Sequence, residues 1–245
     1  MRYFTKEWYN DTLLSEVCFQ MKSSSQADKF SEKHFNSLYE GQKKWFLKSE
    51  KVIAKQNKVK FDAEAAEAAF EENYNENLEF IKNNIPSDIL AKVADLRVLA
   101  MGSASYDVFH EITRFCGQVD RRCEAVKAEY DAEVEKLAEK LGWYKINCLN
   151  WMLNAPICAA EGDGNGNFVI KTAPEYTDVS CKVTLSGAQS VLCPDELIGA
   201  AILHLEILPA GEMLELNLLC MTKGGKSVEF SAQMTDIETE DITNG

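Results

Sequence analysis

The chain has 245 residues, 46% of them apolar and 27% charged, with a formal net charge of −13. That balance excludes wholesale disorder and allows one generous core or two modest ones, of which domain size favours two. No stretch reaches the roughly 18 apolar residues of a helical membrane span, and Lys6, Glu7 and Asp11 interrupt the opening segment, so neither membrane insertion nor a secretory signal is expected and a cytoplasmic location is.

The first half reads as successive helices. Thr5 is placed to cap one in which Tyr9, Leu13, Val17 and Met21 recur every four residues. The polar run Lys22-Ser23-Ser24-Ser25-Gln26 breaks it. Ser31 then caps a second helix bearing Phe35, Leu38, Phe46 and Ile53 on one face. Asp62 opens a third, striped by Ala66, Phe70, Tyr74, Leu78 and Ile81. Ile85-Pro86-Ser87-Asp88 stops that helix and starts a short apolar one, expected from Ile89 to Ala100. Asp95 and Arg97 lie inside it. At i,i+2 they do not face each other on a helix, so each is expected to find a different partner.

The longest periodic signal runs from Tyr106 to Leu141. Phe109, Ile112, Cys116, Val119, Cys123, Val126 and Tyr130 alternate steps of three and four, and Val134, Leu137 and Leu141 continue them. Such spacing makes a narrow, heptad-like stripe, suited to packing on the 31–57 helix or on a second copy of the chain.

Gly142 ends this helix, and the texture changes after it. Of 13 glycines, 9 follow residue 145. Phe168-Val169-Ile170 and a run from Cys181 read as strands. Ala201–Leu208, Met213–Thr222 and Ser227–Thr235 read as an antiparallel meander with short glycine-bearing turns. Leu214, Leu216 and Leu218 alternate with Glu215 and Asn217, which predicts one buried face and one wet face. The fold class is therefore α+β: a helical bundle over 1–142, then a small antiparallel β module over 143–245.

The charge is unevenly placed. Residues 146–245 hold 4 lysines, no arginine and 14 carboxylates, for a net −10. Nucleic-acid binding relies on cations facing phosphates, so it is not expected of this module, whereas a basic protein partner suits it.

Several motifs nearly form. Asp163, Asn165 and Asn167 match the first ligand positions of a calcium loop, but Phe168 and Pro174 stand where glycine and a bidentate glutamate are required, so a hairpin turn is expected. His110-Glu111 opens like a zinc-protease helix, but Arg114 occupies the second histidine position, and a partly buried structural histidine is expected instead. His34 is expected at an exposed helix start, and His204 in a strand among apolar neighbours. The 8 cysteines, Cys18, Cys116, Cys123, Cys148, Cys158, Cys181, Cys193 and Cys220, contain no C-x-x-C, and most are expected to be buried and reduced. No catalytic residue, metal ligand or cofactor site is assigned. The residues singled out for a cleft are Trp143, Tyr144 and Trp151 at the helix-to-strand junction, together with His110, Glu111, Asp95 and Arg97.

The opening Met1-Arg2-Tyr3-Phe4-Thr5-Lys6-Glu7-Trp8-Tyr9, and the segment from Ile85-Pro86 through Asp95-Leu96-Arg97 to Met101-Gly102, resemble an uncharacterised family of unknown function found mostly in Firmicutes. The resemblance implies a bacterial cytoplasmic protein and carries over no activity. The closing meander separately looks like modules of small bacterial immunity-type proteins. Leu197-Ile198-Gly199-Ala200-Ala201 departs from that pattern, which usually has an acidic residue before the first meander strand. The leading expectation is a non-enzymatic binding protein whose acidic β module engages a basic protein. The alternatives are a hydrolase or transferase with a carboxylate and histidine site at the junction, and a helical scaffold dimerising through 106–141.

Overall fold

A computed structural model describes residues 1–174 and 180–243, with the side chains of Glu16, Cys18 and Phe19 also outside the description. The fold is α+β. Its helices are α1 Lys6–Gln20, α2 Glu32–Gln56, α3 Ala63–Asn84, α4 Ser87–Leu90, α5 Leu96–Ala100, α6 Tyr106–Leu141 and α7 Trp143–Leu149. The expected caps hold. Thr5 Oγ1 accepts the Trp8 N–H at 3.1 Å, Ser31 that of His34 at 3.3 Å, and Asp62 those of Glu64 and Ala65 at 3.1 Å. Met21 lies beyond α1, and the polar break forms β1, Lys22–Ser23, paired in parallel with β2, Ser103–Ala104. Gly102 has φ +71, and a Cβ there would stand 3.1 Å from the Gln20 carbonyl oxygen, so this crossing needs glycine.

The chain divides into two compact units: Met1–Asn10 with Arg122–Gly245, and Asp11–Arg121. In the second, the helix expected from Ile89 to Ala100 is instead the pair α4 and α5. The reason is Asp95, whose extended backbone (φ −149) and side chain cap α5 through the Arg97 N–H. The rings of α2 meet α3: Tyr39 lies 5.1 Å from Phe70 and 5.5 Å from Tyr74, and Phe46 lies 5.7 Å from Phe70. Helix α2 buries no residue fully. The α6 stripe is buried within the chain, with Ile112 and Val119 at 0% exposure. Asp120 of α6 accepts the Ser15 hydroxyl of α1.

The other unit is built on two 4-stranded sheets, ordered β10-β5-β4-β3 and β6-β9-β8-β7. Their strands are β3 Ile157–Gly162, β4 Phe168–Thr172, β5 Cys181–Ser186, β6 Gln189–Leu192, β7 Ala201–Ala210, β8 Met213–Met221, β9 Ser227–Met234 and β10 Asp236–Asp241. All their pairings are antiparallel. The expected meander is β7-β8-β9. Ile170, Val183 and Leu185 from one sheet share a core with Leu216, Leu218 and Phe230 from the other.

The expected alternation holds along β9, where Val228, Phe230 and Ala232 are buried and Glu229 is exposed, but the polar side of β7 and of the middle of β8 is not wet. Glu206 is 0% exposed and Asn217, its register partner, 3%. A bulge between Ile202 and His204 resets the alternation of β7. Leu208 then joins Tyr3, Phe4, Tyr130, Val134 and Ile146 in a second apolar cluster, so β7 is covered on both faces.

The cysteine expectation holds for Cys123, Cys148, Cys181 and Cys220, which are buried and outside any disulfide. Burial pushes Cys181 up to about 11 and Cys220 up to about 12. Cys158 and Cys193 are exposed free thiols, while Cys116 is disulfide-bonded.

Candidate functional site

Trp143 and Tyr144 open α7, and Trp151 sits in the single 3₁₀ turn Asn150–Met152 that extends it. The same turns send Ile146, Cys148, Leu149 and Met152 into the core. The aromatics face the other way. Trp143 is 52% exposed, Tyr144 74% and Trp151 39%. Each of the three rings is therefore open to solvent, on a segment anchored by its own apolar side.

Acid lies beside α7. Lys145 of α7 bridges to Asp236 of β10 at 2.7 and 2.8 Å, and that hydrogen-bonded ammonium holds the Asp236 carboxyl below its usual range. Beyond Asp236, β10 presents exposed Glu238 and Glu240, the latter paired with Lys182 at 3.0 Å. The site therefore combines three exposed rings with an edge strand rich in carboxylates.

The remaining predicted residues lie in the other unit. His110 is exposed rather than partly buried, and its ring stands edge-on to Tyr106 at 4.2 Å. His110 lines an open groove of about 860 Å³ with Asp28, Lys92, Asp107, Glu111 and Arg114. Glu111 is engaged by the Lys92 ammonium through both oxygens at 2.7 Å. Thus the adjacent His110 and Glu111 serve different contacts. His34 is half-buried, and its Nε2 is a buried atom with no hydrogen-bond partner among the described residues.

Asp95 and Arg97 do pair directly, contrary to the helical-spacing expectation. Arg97 Nε donates to Asp95 Oδ1 at 3.0 Å and a guanidinium nitrogen to Oδ2 at 2.8 Å. The geometry is open because Asp95 is a cap, outside the helix whose spacing rule separates i and i+2. Arg97 also grips Glu32 of α2 at 2.8 and 3.2 Å and lies 4.4 Å from the Phe35 ring centroid. This charge-assisted fork lowers the Asp95 pKa and raises that of Arg97. It ties α5 to α2.

The sequence also offers no signal for Glu206. Its carboxylate accepts the backbone N–H groups of Arg2 at 2.8 Å, Tyr3 at 2.6 Å and Phe4 at 2.5 Å. Next to it, Tyr130 accepts the Ile207 N–H at 3.2 Å, and burial pushes the phenol up to about 12. His204 packs among the rings of Phe4, Trp8 and Tyr9, and burial lowers its pKa. In the β3–β4 turn, Asp163 accepts the Asn165 N–H at 2.7 Å, the Asn167 N–H at 3.1 Å and the Asn167 side-chain amide at 2.8 Å. That carboxylate closes a hairpin turn, as expected.

Comparison with known protein families, with curated proteins and with solved structures finds no match for this chain.

Proposed function

We propose that the chain is a non-enzymatic cytosolic binding protein whose acidic β unit engages a basic protein partner through the exposed rings of Trp143, Tyr144 and Trp151. The observation that carries this reading is the exposure of those rings, 52%, 74% and 39%, beside the acidic strand β10. Tryptophan and tyrosine are over-represented among the residues that dominate binding energy at protein interfaces. A flanking carboxylate field favours a cationic partner and speeds its encounter. The net −10 of residues 146–245 points the same way.

The test places a photo-crosslinking residue at Tyr144 in the native host and identifies what it captures. The purified partner is then titrated with the intact protein and with W143A and W151A variants. The expected partner is basic, its affinity falls as salt rises, and each variant weakens it roughly tenfold or more. A captured protein whose binding is indifferent to salt and to both tryptophans overturns the reading.

A further inference from the structure

In the Asp11–Arg121 unit, the geometry points to a binding groove for a cationic group on a short alkyl stem, a guanidinium or an ammonium, with Glu76 as its counter-ion. This goes beyond the partner surface proposed for the β unit and uses none of its residues. The groove encloses about 640 Å³ between α1, α2, α3 and α5. That volume is within the range of sites that hold small ligands or single side chains of a partner. Asn73, Glu76, Asn77 and Phe80 share one face of α3 at i, i+3, i+4 and i+7 and all line it.

The polar part of the lining is aimed by hydrogen bonds. Asn77 Nδ2 donates to the Ala100 carbonyl at 2.7 Å, and Gln42 Nε2 donates to the Met101 carbonyl at 2.7 Å. A carbonyl only accepts, so each amide must turn its nitrogen to the backbone. Each amide keeps its oxygen as an acceptor, alongside one further N–H. Glu76 adds a carboxylate and is, among the described residues, the sole ionisable group of the lining. It has no ion-pair partner among the described residues.

Leu13, Val17 and Phe80 supply the apolar part. Acceptors held in place, one unpaired negative charge and an apolar wall match a donor-only cation whose methylenes lie on the wall. An anion would meet the Glu76 carboxylate in repulsion. A neutral apolar ligand would leave those acceptors without partners. The same chemistry is offered by a free amine or guanidine and by a lysine or arginine of another protein.

The experiment titrates the full chain with agmatine and, separately, with a blocked Gly-Arg-Gly peptide, and follows the side-chain amide signals of Asn73, Asn77 and Gln42 by NMR. N-butylacetamide is the uncharged control. The expected result is a saturable shift of those signals with at least one cationic probe and none with the control. E76Q should weaken that binding by about threefold to tenfold. Glu76 is exposed, so the variant is expected to fold, and its unchanged melting temperature confirms that it has. Tighter binding of the peptide than of agmatine assigns the site to a protein-borne side chain, and the reverse order assigns it to a free cation. No saturable shift up to about 10 mM of either probe, or equal binding by E76Q, overturns the proposal.

Discussion

Glu206 holds Tyr3 by its backbone N–H at 2.6 Å, across 203 positions of sequence. The carboxylate is fully buried, and Arg2 and Phe4 present their N–H groups to it as well. A carboxylate in an apolar setting is costly unless its lone pairs are satisfied, and three backbone donors satisfy them without a buried cation. Glu206→Gln places an amide NH₂ where acceptors are needed and should destabilise the protein by about 2–4 kcal/mol. Glu206→Leu should cost at least as much, because the amides of residues 2–4 lose every acceptor. Urea unfolding measures both, and a loss below about 0.5 kcal/mol in Glu206→Gln would contradict the role given to it.

His204 makes stability depend on pH. Burial among Phe4, Trp8 and Tyr9 lowers its pKa, while in the unfolded chain it titrates at about 6.5. The unfolded state therefore binds more protons in that range, and unfolding free energy rises with pH. The contribution is present above about pH 6.5 and is lost as pH falls through the lowered native value. The ring neighbours carry no charge there. His204→Gln should flatten the slope of stability between about pH 7 and about pH 5.5, measured by chemical denaturation at each pH.

Arg97 joins α5 to α2 through Asp95, Glu32 and the Phe35 ring. Lysine cannot reproduce a planar fork that serves two carboxylates and a ring at once. Arg97→Lys should lower stability by about 1 kcal/mol, discounted because Arg97 remains 32% exposed. The depressed Asp95 pKa adds an acid-sensitive component, with stability present above the unfolded value of about 3.9 and lost as pH falls through the native one. Thermal melts of Arg97→Lys and Asp95→Asn at pH 7 and below check both.

The exposed aromatics should be dispensable for folding. Trp143→Ala and Tyr144→Ala remove rings that are 52% and 74% exposed, so stability should change by no more than about 0.5–1 kcal/mol. Partner binding should fall far more steeply than stability. A melting temperature that collapses in Tyr144→Ala would show that the ring is part of the core after all.

Ser31, Asp62 and the three-four spacing from Tyr106 were sufficient to place α2, α3 and α6, because capping and periodicity act over a few residues. Asp95 defeated the same logic, since one side chain chose to cap a new helix and so ended the expected one. The cleft residues were legible only in part. Trp143, Tyr144 and Trp151 are each exposed, whereas His110 and Glu111, adjacent in sequence, take unrelated partners.

By itself the sequence determined the helical first half, the strands after Gly142 and the acidity of that second part, all of which depend on local composition and period. Only the tertiary structure decided that the polar face of β7 is buried. Alternation along a strand says which residues share a face, but not what covers that face. Here the cover is the backbone of residues 2–4, whose N–H groups are the same in any sequence and so leave no mark in the residue pattern. The aim of Asn77 and Gln42 has the same cause: the carbonyls of Ala100 and Met101 fix it, and only folding brings them within reach.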